Sequence, residues 1–287
     1  MSLIIGAVVV LVCTLGGYAA LGGKIAVLWQ PFEAVIIVGA AIGGYIIANP
    51  GTVLKRTTMA LKAVFSGPKY KKDCYVELLS VLYQVLKLAK SKGMLALEQH
   101  IENPSESQLF EQFPTFHNNT TAVTFLCDHM RLMSLGSDNP IEMEDLMDEE
   151  IEVHHHEHEQ VAGALSTVAD SMPALGIVAA VLGVIKTMGS ITEPPEVLGH
   201  LIGGALVGTF LGVWLSYGFI GPIARKAQSV FESETKYLNC IKATLLAHMH
   251  GYAPAVSVEY GRKALQSEQR PTFYEVEEAV EALPPVA

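Results

Sequence analysis

The sequence Val197-Leu-Gly-His-Leu-Ile-Gly-Gly-Ala-Leu-Val-Gly-Thr-Phe-Leu-Gly-Val-Trp-Leu-Ser-Tyr-Gly-Phe-Ile-Gly-Pro-Ile-Ala224 decides the fold. It contains no Asp, Glu, Lys or Arg, and its one histidine is His200. A helix needs about 20 mostly apolar residues to cross the hydrocarbon core of a bilayer. This stretch therefore predicts a membrane-spanning helix.

Three further apolar runs accompany it, and residues 3–21, 34–54 and 171–185 carry no charged side chain. The last of these is long enough to span if Lys186 extends its ammonium group to an interface. Half of the residues are hydrophobic and 17% are charged, whereas an ordinary soluble domain has about 25% charged residues. We predict an all-α integral membrane protein with four transmembrane helices and a large helical cytoplasmic domain.

The distribution of basic residues predicts the orientation. Lys55, Arg56 and Lys62 follow the second run, and Arg225 and Lys226 follow the fourth. The short loops 22–33 and 189–196 carry one Lys and three Glu. Lys and Arg accumulate on the cytoplasmic side of membrane proteins, so we expect both termini in the cytoplasm. The start of the chain lacks the basic region of a cleaved signal, which favours a permanent first helix.

The hydrophilic middle of the chain has a helical pattern. Apolar residues recur every three or four positions from Tyr75 to Ala89, Gly93 interrupts them, and Asn103-Pro104 ends the pattern. Further helices are predicted over residues 120–135, 142–159 and 224–250. We expect transmembrane helices 1 and 2 in residues 1–54, a cytoplasmic helical domain in 55–168, transmembrane helices 3 and 4 in 169–226, and a cytoplasmic C-terminal helix and tail in 227–287.

Small residues form stripes within the predicted spans. Gly204, Gly208 and Gly212 fall at every fourth position, and Gly39 and Gly43 repeat that spacing. Such stripes allow helix backbones to approach closely in lipid. Two interpretations remain open, since the stripes could pack the helices of one chain together or face other subunits.

Polar groups are scarce in the spans. No Asp or Glu lies in the middle of any run, because Asp170 precedes the third and Glu33 precedes the second. A proton path through a membrane usually needs a titratable group near its middle. The chain therefore either conducts nothing or depends on a partner for that carboxylate. Thr209 is the polar residue nearest the centre of the fourth run, and its hydroxyl is expected to bond to the carbonyl one turn back.

Two prolines and two charges have ordinary structural explanations. Pro173 suits the first turn of a helix, and Pro222 would kink the fourth helix as it leaves the membrane. Lys90 and Glu98, on either side of Gly93, are expected as exposed charges.

Conventional enzyme chemistry is not predicted. The sequence contains no nucleophile–base pair, phosphate loop or zinc motif, so no catalytic residue and no cofactor is assigned. The run His154-His-His-Glu-His158 could bind a transition metal, but a solvated helix is favoured and no metal site is assigned. The four cysteines are scattered and are predicted to be free thiols. No basic footprint for nucleic acid occurs.

Four motifs carry a resemblance to a known family. They are Asp170-Ser-Met-Pro-Ala-Leu-Gly-Ile-Val-Ala-Ala-Val-Leu-Gly183, the stretch from Leu206 to Pro222, Lys87-Leu-Ala-Lys-Ser-Lys-Gly-Met-Leu-Ala-Leu-Glu98, and the tail Gly251-Tyr-Ala-Pro254 with Val258-Glu-Tyr-Gly-Arg262 and Arg270-Pro271. Together they resemble the flagellar stator proteins of the MotA type, within the MotA/TolQ/ExbB proton channel family. The resemblance covers nearly the whole chain.

The resemblance implies an ion-driven stator unit of the bacterial inner (plasma) membrane. Several copies of the chain, a pentamer in this family, would surround the single membrane helix of a MotB-like partner, which would bring the mid-membrane Asp. Thr209 would line the ion path, with Tyr217 as a further hydroxyl of the same span. Pro173 and Pro222 would couple protonation to movement.

The resemblance also implies which residues contact the rotor and which ion is transported. Lys90 and Glu98 would face opposite charges on a FliG-like rotor switch protein. The family commonly has Arg where this chain has Lys90, and Lys keeps the charge but loses the bidentate fork. Sodium-driven relatives carry Thr at the position of Ala180, whose side chain offers no oxygen ligand, so we expect a proton-driven member.

The sequence is also compatible with two other functions. A TolQ- or ExbB-like energiser of outer-membrane processes would use the same membrane core, although the charged motif and the tail argue against it. A non-conducting membrane scaffold would explain the glycine stripes but not the full set of motifs.

Overall fold

The computed structural model describes residues 2–66 and 69–284, and all regular structure in these ranges is helical. The longer α-helices span Ser2–Leu11, Pro31–Ala48, Gly51–Ser66, Lys72–Lys92, Thr120–Ser134, Pro140–Met188, Pro195–Leu215, Gly221–Met249, Pro254–Lys263 and Phe273–Glu281. The short α-helices are Gly17–Ala20, Glu98–Glu102, Gln108–Glu111 and Pro114–His117. Val12–Gly16 and Ser216–Ile220 are π-helical, and Ile25–Leu28, Met94–Leu97 and Pro104–Glu106 are 3₁₀ turns.

In the described part of the chain, four helices are long and apolar enough to cross a membrane, which confirms the predicted fold class. They are Ser2–Ala20, Ile25–Ala48, Pro140–Met188 and Pro195–Met249, and below we number them as the first to fourth membrane helices. Large apolar side chains along them are exposed, as expected for surfaces that face lipid.

The second apolar run is not one helix, contrary to the prediction for residues 34–54. The membrane helix ends at Ala48, and a new helix begins at Gly51. Asn49 has extended backbone angles, with φ −122° and ψ 140°. Proline at position 50 disfavours the α conformation of the residue before it, so Asn49-Pro50 breaks the run.

The third membrane helix is longer than the apolar run that predicts it. A single helix of 49 residues joins the acidic stretch to the apolar stretch. Pro173 lies inside this helix, so its assignment to a first turn is wrong. Both stretches have helical periodicity, and no breaker between residues 159 and 171 separates them.

The fourth membrane helix continues beyond the apolar run, as the absence of a breaker predicts. Its regularity changes at Ser216–Ile220, where the amide of Gly221 donates to the carbonyl oxygen of Ser216, five residues back. Pro222 follows directly and has no amide hydrogen to donate. The wider π turn thus lies where proline removes a regular α-helical hydrogen bond.

The chain forms two compact units. The first, called the membrane unit here, comprises residues 1–67 and 157–230. Its buried core is small, with Ile37, Ala41, Met172 and Ala179 packed together. Its helices meet largely through small side chains and backbone, in keeping with packing in lipid.

The second unit comprises residues 68–156 and 231–287, of which the last three lie outside the described part of the chain. It has an extensive apolar core centred on the helix Lys72–Lys92. The apolar positions that predict this helix are all buried: Tyr75, Leu78, Leu79, Leu82, Val85, Leu86 and Ala89. The rings of Tyr70 and Tyr237 stack with centroids 4.3 Å apart. We call it the helical unit.

Candidate functional site

The third and fourth membrane helices approach each other through glycine. A β-carbon added at Gly176 would lie 2.8 Å from the carbonyl oxygen of Gly208, and one added at Gly183 would lie 2.7 Å from the β-carbon of Ala205. Each distance is too short for a real side chain, so only glycine permits this approach. The stripe of Gly204, Gly208 and Gly212 therefore packs the helices of one chain together, which is the first of the two interpretations of the glycine stripes. Gly39 and Gly43 face open space.

Two of the predicted ion-path residues lie at this helix contact. The backbone nitrogen of Ala180 is 3.2 Å from the β-carbon position at Gly208, which immediately precedes Thr209. Ala180 and Thr209 are both half-buried. The glycine contact thus brings together, at one level of the two helices, residues that are 29 positions apart in the sequence.

The hydroxyl of Thr209 is not used by its own helix. Among residues 2–66 and 69–284 it has no hydrogen-bond partner, so the expected bond to the carbonyl one turn back is not found. Other threonines of the membrane helices do make that bond. Thr14 donates to the carbonyl of Val10 at 2.6 Å, and Thr187 donates to that of Gly183 at 2.9 Å. The Thr209 hydroxyl is thus available to another group.

Glu33 and Asp170 are acidic residues of the membrane unit that lie near the starts of apolar stretches. Glu33 is in the first turn of its helix and has one buried carboxylate oxygen without a partner among the described residues. Asp170 is exposed and precedes the apolar stretch of the third helix. The sequence offers no carboxylate in residues 171–185 or 197–224. A group that titrates at the level of Thr209 must therefore come from outside these two stretches.

The end of the fourth span contains a hydroxyl that the sequence reasoning missed. Ser216 is only 1% exposed, and its side-chain oxygen has no hydrogen-bond partner in the described part of the chain. It lies seven residues after Thr209, on the same helix face, and that spacing is the signal that could have identified it. Tyr217, by contrast, projects outward and is 67% exposed, so the structure does not bring it to Thr209.

The two prolines have different surroundings. Pro173 is half-buried and follows Met172, whose carbonyl oxygen would be 2.5 Å from a β-carbon at Gly212. Pro222 is exposed and lines a hollow of about 270 Å³ together with residues of the first membrane helix, among them Ser2 and Val10. The indole of Trp214 donates to the hydroxyl of Thr14 at 3.1 Å, which also joins the first helix to the fourth.

Lys90 and Glu98 are exposed near the C-terminal end of the helix Lys72–Lys92. Lys90 lies in the last turn of Lys72–Lys92, and Glu98 begins the next α-helix. Gly93 separates them with φ +84°, a conformation that favours glycine. Neither side chain forms an ion pair with another described residue. Burial and the positive charge of Lys90 lower the pKa of His248.

The histidine run lies within the third membrane helix. Within it, His154, His155 and His158 are half-buried, whereas His156 and Glu159 are exposed.

Comparison with known proteins identifies the family. Residues 4–93 match the motility protein A N-terminal model, and residues 118–239 match the model of the MotA/TolQ/ExbB proton channel family. The chain is 45% identical to Motility protein A of Escherichia coli over 283 residues, which covers 99% of this chain and 96% of that protein. The chain belongs to the MotA family.

Other relatives and solved structures support the assignment to the MotA family. The chemotaxis protein LafT of Vibrio parahaemolyticus is 36% identical over 96% of this chain and 97% of its own length. The flagellar MotAB stator complex from Bacillus subtilis matches with a TM-score of 0.71 and 26% identity, covering 89% of this chain and 92% of that chain. The MotAB structure of C. jejuni has a TM-score of 0.77 at 20% identity and covers 93% and 96% of the two chains, so it shares the fold.

The candidate residues lie in both units of this MotA-family chain. Thr209 belongs to the membrane unit, whereas Lys90 and Glu98 belong to the helical unit. The match to the N-terminal family model ends at Gly93, between Lys90 and Glu98. This is a membrane protein whose two candidate surfaces belong to different parts of one fold.

Proposed function

We propose that this chain is a stator subunit of the flagellar motor that, with a MotB-like partner, forms a proton channel and couples proton flow to torque on the rotor. The similarity to Motility protein A of Escherichia coli over nearly the whole chain carries this proposal. The matched region includes the charged motif of residues 87–98 and the C-terminal tail. These two segments distinguish motility proteins from TolQ- or ExbB-like energisers of outer-membrane processes. The proposed role is mechanical transduction and involves no enzymatic step.

The proton path runs along the third and fourth membrane helices. The partner supplies an Asp near the middle of the membrane, because this chain has no carboxylate there. The hydroxyl of Thr209 donates to that carboxylate or orients a water beside it, and it is free to do so because it makes no bond within the described chain. Tyr217 is exposed and faces the partner or another subunit.

The transported ion is the proton. Ala180 lies against the helix turn that precedes Thr209 and contributes no side-chain oxygen. Sodium needs several oxygen ligands to replace its water, as hard cations do in general. A proton, in contrast, is carried as part of a single carboxyl group and needs no such set of oxygen ligands.

Coupling depends on Pro173 and Pro222. Each removes a backbone hydrogen bond from a helix that continues on both sides of it. Such positions bend more easily than a regular helix. Protonation of the partner's Asp beside Thr209 changes the packing of these helices, and the prolines convert that change into movement of the cytoplasmic residues.

The assembly places both termini in the cytoplasm of a bacterium, with the chain in the inner membrane. Residues 1–54 and 169–226 supply the transmembrane helices, and residues 55–168 and 227–287 the cytoplasmic part. Basic residues after the second and fourth spans support this orientation. Several copies, as a pentamer, surround the partner's helix, and the open stripe of Gly39 and Gly43 is suited to contact between copies.

Ion flux in liposomes tests this function. The chain should be purified with and without a single-span partner that carries the Asp, and each preparation reconstituted. We expect proton flux from the complex only, and abolition of flux when the partner's Asp is replaced by Asn. Equal flux from the chain alone would contradict the proposed division of roles.

A further inference from the structure

The hollow between the first and fourth membrane helices has an apolar lining with one charged residue. Its volume is about 270 Å³, and both helices belong to the membrane unit. Ser2 and Lys226 are the polar residues of the lining, and the others are apolar or glycine. Because the outer surfaces of membrane helices face acyl chains, such a hollow is open to lipid.

Two contacts define how the first and fourth membrane helices pair. The indole nitrogen of Trp214 donates to the hydroxyl of Thr14 at 3.1 Å. A β-carbon added at Gly218 would lie 3.2 Å from the side chain of Val10. A step of four residues back along the first helix therefore corresponds to a step of four residues forward along the fourth. The two helices are antiparallel.

The same pairing brings the two polar residues of the hollow together. Eight residues beyond the contact of Val10 with Gly218, it places Ser2 level with Lys226. Eight residues of helix rise by about 12 Å, so the hollow extends about 12 Å from its polar end to that contact. A helix about 10 Å across occupies about 900 Å³ over this length. The hollow of about 270 Å³ therefore admits an acyl chain but not a helix.

The ammonium group of Lys226 lacks a counter-ion within the described chain. Lys226 is half-buried, and it forms no ion pair with a carboxylate in residues 2–66 and 69–284. Arg56, which is also half-buried in the membrane unit, has a carboxylate oxygen of Glu157 at 2.8 Å. Burial of a charge is costly unless an opposite charge replaces the lost water. Lys226 is therefore suited to an anion from outside the chain.

We infer that this hollow binds one anionic phospholipid, with the phosphate at Lys226 and one acyl chain along the apolar lining. The phosphate oxygens would accept from the ammonium group of Lys226 and from the hydroxyl of Ser2. In the proposed orientation this lipid belongs to the cytoplasmic leaflet, where anionic lipids attract basic residues. Pro222 lines the same hollow, so the lipid would contact the proline that we propose for coupling.

Native mass spectrometry of the delipidated stator complex in detergent tests the inference. The complex is titrated with phosphatidylglycerol or with phosphatidylcholine of the same acyl chains, and bound lipids are counted per copy of this chain. We expect half-occupancy at an about fivefold lower concentration of phosphatidylglycerol, the factor for one lysine at an anionic surface. Lys226→Gln should abolish this preference. Lys55→Gln is the control and should keep it, because Lys55 is exposed and outside the lining.

Equal half-occupancy for the two lipids in the wild type, or an unchanged preference in Lys226→Gln, would overturn the inference. These titrations measure neither proton flux nor torque. A negative result would therefore leave the proposed function standing.

A second variant tests the hollow itself. Gly6 lines it, and a β-carbon added there would meet nothing within 4 Å. Gly6→Leu should therefore fill the space without displacing backbone, and the complex should bind one phosphatidylglycerol fewer per copy. Gly16→Leu is the matched control, because Gly16 is on the same helix, outside the lining, and equally open. If Gly6→Leu keeps its lipid, or if it separates the copies of the chain instead, the lipid site is wrong.

Discussion

The carbonyl oxygen of Met172 lies so close to Gly212 that a β-carbon added to that glycine would be 2.5 Å from it. The obstacle is backbone, which cannot rotate away as a flexible side chain could. This contact fixes the spacing of the third and fourth membrane helices beside Pro173. The arrangement of the candidate proton path therefore depends on a residue that has no polar group.

We expect Gly212→Ala to destabilise the complex, because the helices must separate to admit the methyl group. Overpacking of this kind costs about 1–3 kcal/mol. Thermal unfolding of the detergent-solubilised stator complex should show a lower midpoint. Gly199→Ala is the matched control, since Gly199 lies in the same helix and a β-carbon there would meet nothing within 4 Å. Equal midpoints for the two variants would contradict this account of the contact.

The internal position of Pro173 makes it a candidate mechanical element rather than a helix start. Pro173→Leu and Pro222→Leu should each restore a backbone hydrogen bond and stiffen a continuous helix. Cells with either variant should assemble stators around the motor but fail to swim. Pro195→Leu is the control, because Pro195 begins its helix, where proline replaces no hydrogen bond. Normal swimming with Pro173→Leu would remove this proline from the coupling mechanism.

The sequence predicts the membrane helices well because their signal is local. A run of about 20 apolar residues identifies a span whatever its neighbours are. The break at Asn49-Pro50 and the 49-residue helix through Pro173 were not predicted, because composition alone does not say whether proline ends or interrupts a helix. The spacing of seven residues places Ser216 on the helix face of Thr209, but it does not reveal that both hydroxyls lack a hydrogen-bond partner among the described residues, since only coordinates show which carbonyls a hydroxyl reaches.

Charge reversal tests the expected contact of Lys90 and Glu98 with the rotor. The double variant Lys90→Glu, Glu98→Lys should form stator complexes with normal proton flux but spread poorly in soft agar, since the charges that meet the rotor have changed sign. Single neutralisations should have mild effects, because each exposed pair contributes about 0–1 kcal/mol. The control is Lys71→Glu, Glu111→Lys, which reverses two other exposed charges of the same unit. Wild-type spreading of the Lys90, Glu98 variant would exclude these residues from torque generation.

Acid should loosen the C-terminal helix Phe273–Glu281. A hydrogen bond from Lys72, followed by bonds from the backbone and side chain of Thr272, lowers the pKa of Glu275 from its ordinary value of 4.5 to about 2. A carboxylate with a lowered pKa stabilises the folded state above its unfolded pKa, and this stabilisation is lost as pH falls through the folded pKa. The relevant window therefore runs from about pH 4.5 down to about pH 2.

Hydrogen exchange of the amides in residues 273–281 measures this effect. After correction for the intrinsic pH dependence of exchange, wild-type protection should decline across that window, whereas Glu275→Gln should show lower protection that varies little with pH. Glu277→Gln is the control, because Glu277 is exposed in the same helix. It should behave as wild type, and a flat wild-type profile would show that the Lys72–Glu275 contact does not hold the helix.

The available hydroxyl of Thr209 leads to the sharpest test of the proton path. Thr209→Val removes the hydroxyl at nearly constant volume, so the complex should assemble while its proton flux in liposomes falls. A hydrogen bond to a charged group contributes about 1.5–3 kcal/mol, and loss of about 1.4 kcal/mol in the barrier to transfer corresponds to about tenfold in rate. We therefore expect a flux reduction of about tenfold or more. Thr187→Val is the matched control, because the Thr187 hydroxyl already donates to the carbonyl of Gly183, and its flux should remain at the wild-type level. Equal flux from the Thr209→Val and Thr187→Val complexes would mean that the proton bypasses Thr209.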